Sequence, residues 1–377
     1  MKILTNIRFA QTAGIAQVVL SFMDFIEKDK ENNINVVAVN IANQLEKTYQ
    51  KTTNSKTSTV SFGIEIPNIA DVIEKSKTLN DVENSLEPLI KIYQKAIKKE
   101  CPDLVLINGT YFMPWALKVA TERENVPAVL HYHGVLTKET QNWKKEKREI
   151  FYQMEKSFDK KDMFYIFPSK ITKQTVEKEV FGHKIKKFSV LPNPVSDHFF
   201  EEDVKKETKN IGIVSRWTGI KNVKFCEKLA EYNKKKGAKF IVNVITDLDT
   251  KNKKYKELSK IIKFHKPKSN KELASFYKNM GIVISPSHFE TYGNVAKEAL
   301  ATGTPAIVSP NMGVSETFNK LGLNDWVVDF NSVKSVYNKI ENIIGEPVSE
   351  KTREKMKKLY IPPKIFSEIV SILNNAV

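Results

Sequence analysis

Only two cysteines occur in the 377 residues, Cys101 and Cys226, and they stand too far apart for any metal-binding or redox spacing. That excludes a disulfide scaffold and a cysteine-ligated metal, and it fits buried or incidental thiols in a reducing cytoplasm. No apolar run reaches the roughly 18–20 residues that a membrane-spanning helix needs. The opening residues, Met1-Lys2-Ile3-Leu4, enter a short strand pattern directly and lack the charged and long apolar segments of a secretory leader. No short repeat is visible. RNA-binding aromatic motifs and a helix-turn-helix pattern are also lacking, so a nucleic-acid-binding reading rests on charge alone.

What the chain does have is lysine. Sixty Lys and Arg against 44 Asp and Glu give a net charge of +16, and hydrophobic residues make up 41%. Such charge attracts polyanions, whether nucleic acid, an anionic membrane face or a phosphorylated substrate. The length exceeds one ordinary core, which predicts two domains.

Short apolar runs alternate with amphipathic stretches, the pattern of parallel sheets with crossover helices. In the first half the pattern predicts strands over 2–5, 35–40, 104–107, 128–131, 164–167 and 188–191. Helices are predicted over 14–27, 82–98, 114–124, 137–158 and 171–180. The polar segment 51–61 reads as a loop or mobile hairpin outside the core. A charged stretch, 201–210, reads as an interdomain linker. A second series then begins, with strands over 211–215, 240–245, 261–264, 281–285, 306–308 and 326–328. Its helices are predicted over 223–235, 253–259, 271–277, 295–301 and 333–344, and a last helix covers 363–375.

The densest motif runs from Pro286 to Pro305, PSHFETYGNVAKEALATGTP. It reads as strand, loop, helix, turn and strand. Its loop therefore sits at the carboxyl end of a parallel strand and faces a helix N-terminus. Open α/β sheets bind ligands there, and the free N–H groups of a helix N-terminus favour phosphate. Glu290 in the loop and Glu298 inside the helix flank that position, and carboxylates are good acceptors for the hydroxyls of a sugar or ribose. A nucleotide-sugar pocket is the reading these residues support. A second motif is Ile213-Val214-Ser215-Arg216-Trp217-Thr218-Gly219-Ile220-Lys221-Asn222. A strand ends in one cation, turns through glycine and places another cation before a helix. Such a pair can neutralise charge developing on a leaving diphosphate.

The spacing Glu290-x7-Glu298, with its flanking ETYGN and EALATGTP, resembles the signature of the retaining GT-B glycosyltransferases of family 4, and Arg216 and Lys221 match that family's Arg and Lys. The resemblance implies an α/β chain of GT-B fold, with two Rossmann-like domains facing across a cleft and a C-terminal helix crossing back to the first. The implied division is 1–195 for an acceptor-binding domain, 196–360 for a nucleotide-sugar-binding domain and 361–377 for the crossing helix. It further implies that Glu290 contacts the transferred sugar, that Glu298 holds the ribose, and that backbone N–H groups of Thr291, Tyr292, Gly293 and Asn294 meet sugar and diphosphate oxygens. In the first domain His133, beside Gly134, matches a histidine near the reacting end of the sugar. Alternation along a strand would put His131 on the same face. Gly14, in the loop Gln11-Thr12-Ala13-Gly14, matches a glycine-containing loop that faces the diphosphate, although one glycine stands where many members have two. Leu191-Pro192-Asn193-Pro194 resembles the family's hinge motif with proline for glycine. The loop 264–268, around His265, would lie against the base but reads as a solvated turn.

The implied activity is transfer of a hexose from a nucleotide diphosphate sugar, with UDP favoured, to a hydroxyl of a glycan, lipid or protein, without cofactor or metal. No acidic nucleophile is evident, so the leaving diphosphate is expected to help deprotonate the acceptor. Catalytic roles fall on His133, Arg216, Lys221 and Glu290. A sugar phosphorylase or a nucleotide-sugar epimerase of the same fold is the alternative enzyme, and a basic nucleic-acid-binding protein the alternative outside enzymes; no nucleic-acid partner is expected. Location is expected to be cytoplasmic. The basic, aromatic segment from Trp143 to Tyr152 reads as an ordinary amphipathic helix or as an interfacial one that holds the protein at an anionic membrane face.

Overall fold

The computed structural model describes residues 1–8, 15–42, 50–201, 208–251, 253–266 and 269–376. These divide into two compact units. Unit 1 comprises Met1–Leu191 with Pro362–Val377, and unit 2 comprises Pro192–Ile361.

Unit 1 contains β1 Lys2–Ile7, α1 Ile15–Lys28, β2 Asn35–Ala42, β3 Gln50–Thr53, β4 Thr57–Gly63, α2 Ile69–Lys75, α3 Leu79–Glu100, β5 Leu104–Asn108, α4 Phe112–Arg123 and β6 Ala128–His131. It continues with α5 Leu136–Glu139, α6 Lys145–Lys156, β7 Phe164–Phe167, α7 Lys170–Val176 and β8 Phe188–Val190. Its sheet has the order β3-β4-β2-β1-β5-β6-β7-β8, parallel throughout except for the β3–β4 hairpin. The inner strands are apolar runs because helices cover both faces of a parallel sheet.

Unit 2 contains β9 Asn210–Val214, α8 Val223–Lys235, β10 Ile241–Ile245, α9 Lys253–Leu258, β11 Lys263–His265, α10 Asn270–Lys278, β12 Ile282–Ser285 and α11 Asn294–Ala301. It ends with β13 Ala306–Val308, α12 Val314–Leu321, α13 Val333–Ile343 and α14 Glu350–Tyr360. Its parallel sheet has the order β11-β10-β9-β12-β13. Chain direction across the sheet reverses between β9 and β12, which makes their carboxyl ends the topological switch point. The final helix, α15 Pro362–Asn374, belongs to unit 1, where Phe366 packs on Phe22 and Phe25 of α1 at ring-centroid distances of 5.5 and 5.8 Å.

Several expectations need correction. Segment 51–61 is the β3–β4 hairpin with 51–55 exposed, but its second strand is not outside the core, since β4 pairs with β2 over seven residues and buries Val60 and Phe62. Its β-branched, alternating residues suit a strand, and Glu27 of α1 fixes the preceding turn by accepting from the N–H groups of Ser55, Lys56 and Thr57. The helix expected over 137–158 is two helices, α5 and α6. The buried Glu155 carboxylate of α6 caps α5 by accepting from Leu136 N, Thr137 N and Thr137 Oγ1 at 3.0, 2.9 and 2.8 Å. The helix expected over 171–180 widens into a π-turn, Glu177–Phe181, closed by Gly182 N donating to Glu177 O at 2.9 Å. No strand forms over 326–328. A 3₁₀ turn, Asn324–Trp326, precedes a single bridge of Val327 to Val308. The chain passes between units at Leu191–Pro192, so the expected linker at 201–210 lies within unit 2, with 202–207 outside the described residues. Cys226 is buried but Cys101 is exposed. Among the described residues no helix is long and apolar enough to cross a membrane.

Glu155 carries a pH prediction. Burial pushes its carboxyl up from 4.5 to about 7, against the three bonds it accepts. Between those pH values the native state holds a proton that the unfolded chain releases, so native stability falls as pH rises through the window. A shift of this size corresponds to about 3 kcal/mol at most. Urea unfolding at pH 5 and pH 7 should show wild type losing more stability than Glu155→Gln over that range. Equal losses would mean that Glu155 titrates normally.

Candidate functional site

The switch point of unit 2 gathers both sequence motifs. After β9 the chain makes a 3₁₀ turn, Gly219–Lys221, and reaches Asn222 in the left-handed region before α8. After β12 comes the loop that carries Glu290. The two loops are laced together, with His288 N donating to Ile220 O at 2.8 Å and Asn222 Nδ2 to Pro286 O at 3.2 Å. Lys221 Nζ lies 3.0 Å from Glu290 Oε1, and Ser287 Oγ donates to the same oxygen at 2.6 Å. Arg216 is exposed on the β9 side and forms no ion pair among the described residues. Trp217 N, next along, donates to Asp247 Oδ1 at 3.1 Å.

The carboxylate loop is held from behind by a neighbouring turn. Gly313 N donates to Glu290 O at 3.0 Å and Val314 N to Tyr292 O at 2.7 Å. Gly293 precedes α11 at φ +108°, a backbone angle that strains any L side chain, and a Cβ there would meet the tip of Met312, Cε, at 2.6 Å and Val314 Cγ1 at 3.1 Å. The first N–H groups of α11 have no intrahelical acceptor, as at any helix start. Of the residues expected to line the donor pocket, Thr291 and Asn294 are half-buried at the loop surface. Tyr292 faces inward instead. Its ring is buried and its hydroxyl shares a 2.7 Å hydrogen bond with Thr317, so only its backbone lies on the loop.

Glu298 stands one turn into α11. Tyr277 of α10, fully buried, donates its hydroxyl to Glu298 Oε2 at 3.0 Å, and burial raises the Glu298 carboxyl above the usual range. Tyr277 and Ser287 are thus partners of the two glutamates that sequence reading passed over. Ser287 was in reach of it, since a serine three residues before a glutamate in a turn commonly bonds it. Nothing in the sequence links Tyr277 to Glu298, because the contact depends on how α10 packs beside α11.

In unit 1 the corresponding strand ends carry a polar chain. Thr5 Oγ1 donates to Leu106 O at 2.7 Å and accepts from Asn108 Nδ2 at 2.8 Å. That sets the Asn108 amide with Oδ1 toward His133 Nε2, 3.0 Å away. His133 must then donate from Nε2, leaving the ring lone pair on Nδ1. Burial, and His131 at 4.1 Å between ring centroids, hold His133 well below the usual histidine range, so the ring is neutral. His131 is buried in β6, and burial pushes it down to about 4. Asn108 is the orienting partner that sequence reading missed. Gly14 lies outside the described residues, as do Gln11, Thr12 and Ala13. His265 is half-buried at the end of β11, with Nε2 at 3.1 Å from Asn243 Oδ1 and its ring edge-on to Phe276, while Lys266 is exposed; Pro267 and Lys268 lie outside the described residues.

Known proteins bear on this geometry. Residues 195–359 match the sequence model of the family described as glycosyl transferases group 1. A capsular polysaccharide biosynthesis glycosyltransferase, CapM, of Staphylococcus aureus is 30% identical over 105 residues, covering 26% of this chain and 27% of that protein. A D-inositol 3-phosphate glycosyltransferase of Corynebacterium urealyticum is 42% identical over 52 residues, 14% of this chain and 12% of that protein. The chain thus spans 27% and 12% of the length of these two curated relatives. Among solved structures, sucrose-phosphate synthase from Thermosynechococcus elongatus superposes with a TM-score of 0.75 at 14% identity, over 100% of this chain and 98% of that one. The E. coli structure described as trehalose-6-phosphate bound with UDP-2-fluoro glucose superposes at 0.71 with 11% identity, over 100% of both chains. Residues 195–359 therefore match the glycosyl transferases group 1 family, and the whole chain has the GT-B fold of these solved structures.

Proposed function

We propose that the protein is a retaining glycosyltransferase of family 4 that moves a hexose from a nucleotide diphosphate sugar, with UDP favoured, to a hydroxyl of a cell-envelope glycan or lipid. The observation that carries the reading is the meeting of Lys221, Glu290 and the start of α11 at the switch point of unit 2, with Arg216 on the same rim. In the proposed step the bond between the anomeric carbon and the diphosphate oxygen breaks, and its electron pair leaves with the phosphate. The acceptor oxygen bonds to the same face of the carbon, and its proton passes to the departing phosphate oxygen. Arg216, Lys221 and the α11 N-terminus receive the developing charge. Glu290 orients the sugar, and Glu298, held by Tyr277, takes the ribose hydroxyls. The backbone of 291–294 completes the donor contacts in unit 2, and in unit 1 neutral His133 is assigned the acceptor.

A panel of nucleotide sugars, read by release of free nucleoside diphosphate with and without glycan and lipid acceptors, tests this. UDP release that depends on an acceptor, with the anomeric configuration kept, is the expected result. Phosphate-dependent release of sugar phosphate would indicate a phosphorylase instead. Because protein cations and a helix terminus are proposed to carry the charge, excess EDTA is expected to leave turnover intact, and rescue of an EDTA-inhibited enzyme by Mn²⁺ would refute that part.

The reading extends to a cytoplasmic protein peripheral to the inner membrane face. Trp143 is 46% exposed, edge-on to the buried Phe151, and Lys144, Lys145 and Arg148 beside it are exposed, whereas Lys147 pairs with Glu74. Each such cation near an anionic surface contributes about 1 kcal/mol, screened by salt. Sedimentation with anionic liposomes at low salt, weakened by charge reversal at Lys144, Lys145 and Arg148, is expected. Absence of sedimentation would favour a soluble acceptor.

A further inference from the structure

Lys297 adjoins Glu298 in α11, yet its side chain is fully buried. A buried lysine is rare, because its charged form loses hydration. The Lys297 Nζ donates to the Asn193 carbonyl and lies 4.2 Å from the ring centroid of Tyr292 and 5.5 Å from that of Tyr360. Among the described residues no ion pair reaches it. Burial pushes it well below the usual lysine range, and neighbouring Glu298 opposes that.

The titratable groups around it are few. Glu298 lies on the same helix, held by Tyr277 of α10. Tyr292 comes from the loop, Tyr360 from α14, and Glu316 of α12 bears on both tyrosines. Burial raises both phenols, so they stay neutral. The segment from Pro192 to Val195 supplies only a carbonyl.

Asn193 fixes where this amine stands. While its carbonyl accepts from Lys297, its Nδ2 donates to Asn294 Oδ1 at 3.1 Å, and Asn294 is the first residue of α11. The amine and the first residue of α11 thus share Asn193 as a partner, and the free N–H groups and dipole of that helix end disfavour a cation and welcome an anion. An anion bound at that end reverses the balance. We propose that Lys297 is a buried counter-cation of the donor site, which takes a proton from solvent when a nucleoside diphosphate binds and so adds a third protein charge to Arg216 and Lys221. This rests on the nucleotide-sugar reading above.

Calorimetry of UDP binding to the full chain near pH 8.5, about four units above ordinary carboxylates, in two buffers of different ionisation enthalpy, counts protons taken up per UDP. Wild type is expected to take up a substantial fraction of a proton. Lys297→Met should take up none and bind several-fold more weakly. Lys297→Arg, whose guanidinium does not deprotonate, should also take up none while retaining more affinity than the Met variant. UDP binding to wild type without proton uptake overturns the proposal and leaves the nucleotide-sugar reading standing. Uptake that persists in either variant assigns the proton to another group, Glu298 first, and also overturns it. Should the Met variant fail to fold, wild type and the Arg variant decide the matter. Failure of wild type to bind any nucleoside diphosphate overturns the nucleotide-sugar reading itself.

Discussion

Turnover is expected to fall by about two orders of magnitude or more when either Arg216 or Lys221 becomes alanine, the scale of losing one strong donor to a developing oxyanion. Both side chains stand at the ends of β9 and its following turn, outside the apolar interior, so folding should survive. The contact between Lys221 and Glu290 adds a second expectation. In the double variant Lys221→Ala with Glu290→Gln, the two losses should fall well short of adding, because residues in contact share their effect. Arg216→Ala, which breaks no such pair, should combine with Glu290→Gln more nearly additively. Steady-state kinetics on a donor identified by the panel measures all of these. Wild-type turnover in both alanine variants would remove the phosphate role from this rim.

The alternation of apolar runs and amphipathic stretches made most of the parallel architecture legible. Strands at 128–131, 164–167 and 306–308 and the helix at 223–235 fall where the pattern places them. Misreadings share a cause: tertiary contacts that override local pattern. Residues 137–158 carry a continuous helical pattern, but a carboxylate eighteen residues on caps α5 and lets the chain turn before α6. Residues 51–61 look polar because Thr and Ser occupy a strand whose neighbour, β2, supplies the apolar partner face. In the site, residues adjacent in sequence to a glycine turn or a strand end were readable, since those positions are fixed locally. Orienting partners came from other elements and were not. Tyr277 reaches Glu298 from α10, and Asn108 reaches His133 from β5. Tyr292 shows the converse, a residue inside the motif whose side chain serves the core.

The two glutamates should separate cleanly when each becomes glutamine. Glu298→Gln keeps the acceptor for Tyr277 but removes the charge that the proposed site offers to ribose hydroxyls. A hydrogen bond to a charged group is worth about 1.5–3 kcal/mol, so UDP affinity should fall about tenfold to a hundredfold. Glu290→Gln acts differently. Its carboxylate holds Lys221 at 3.0 Å, and removing the charge frees that ammonium for the diphosphate. UDP affinity should therefore hold or tighten, while sugar transfer falls by about two orders of magnitude, because the contact proposed to orient the reacting sugar is lost. Ser287 keeps a partner in the glutamine oxygen, so the loop should remain in place. Calorimetry with UDP and turnover with the whole donor distinguish the two variants. If Glu290→Gln weakened UDP binding while Glu298→Gln left it unchanged, the sugar and ribose roles would be exchanged, and the ion pair with Lys221 would have to be read as part of the nucleotide site.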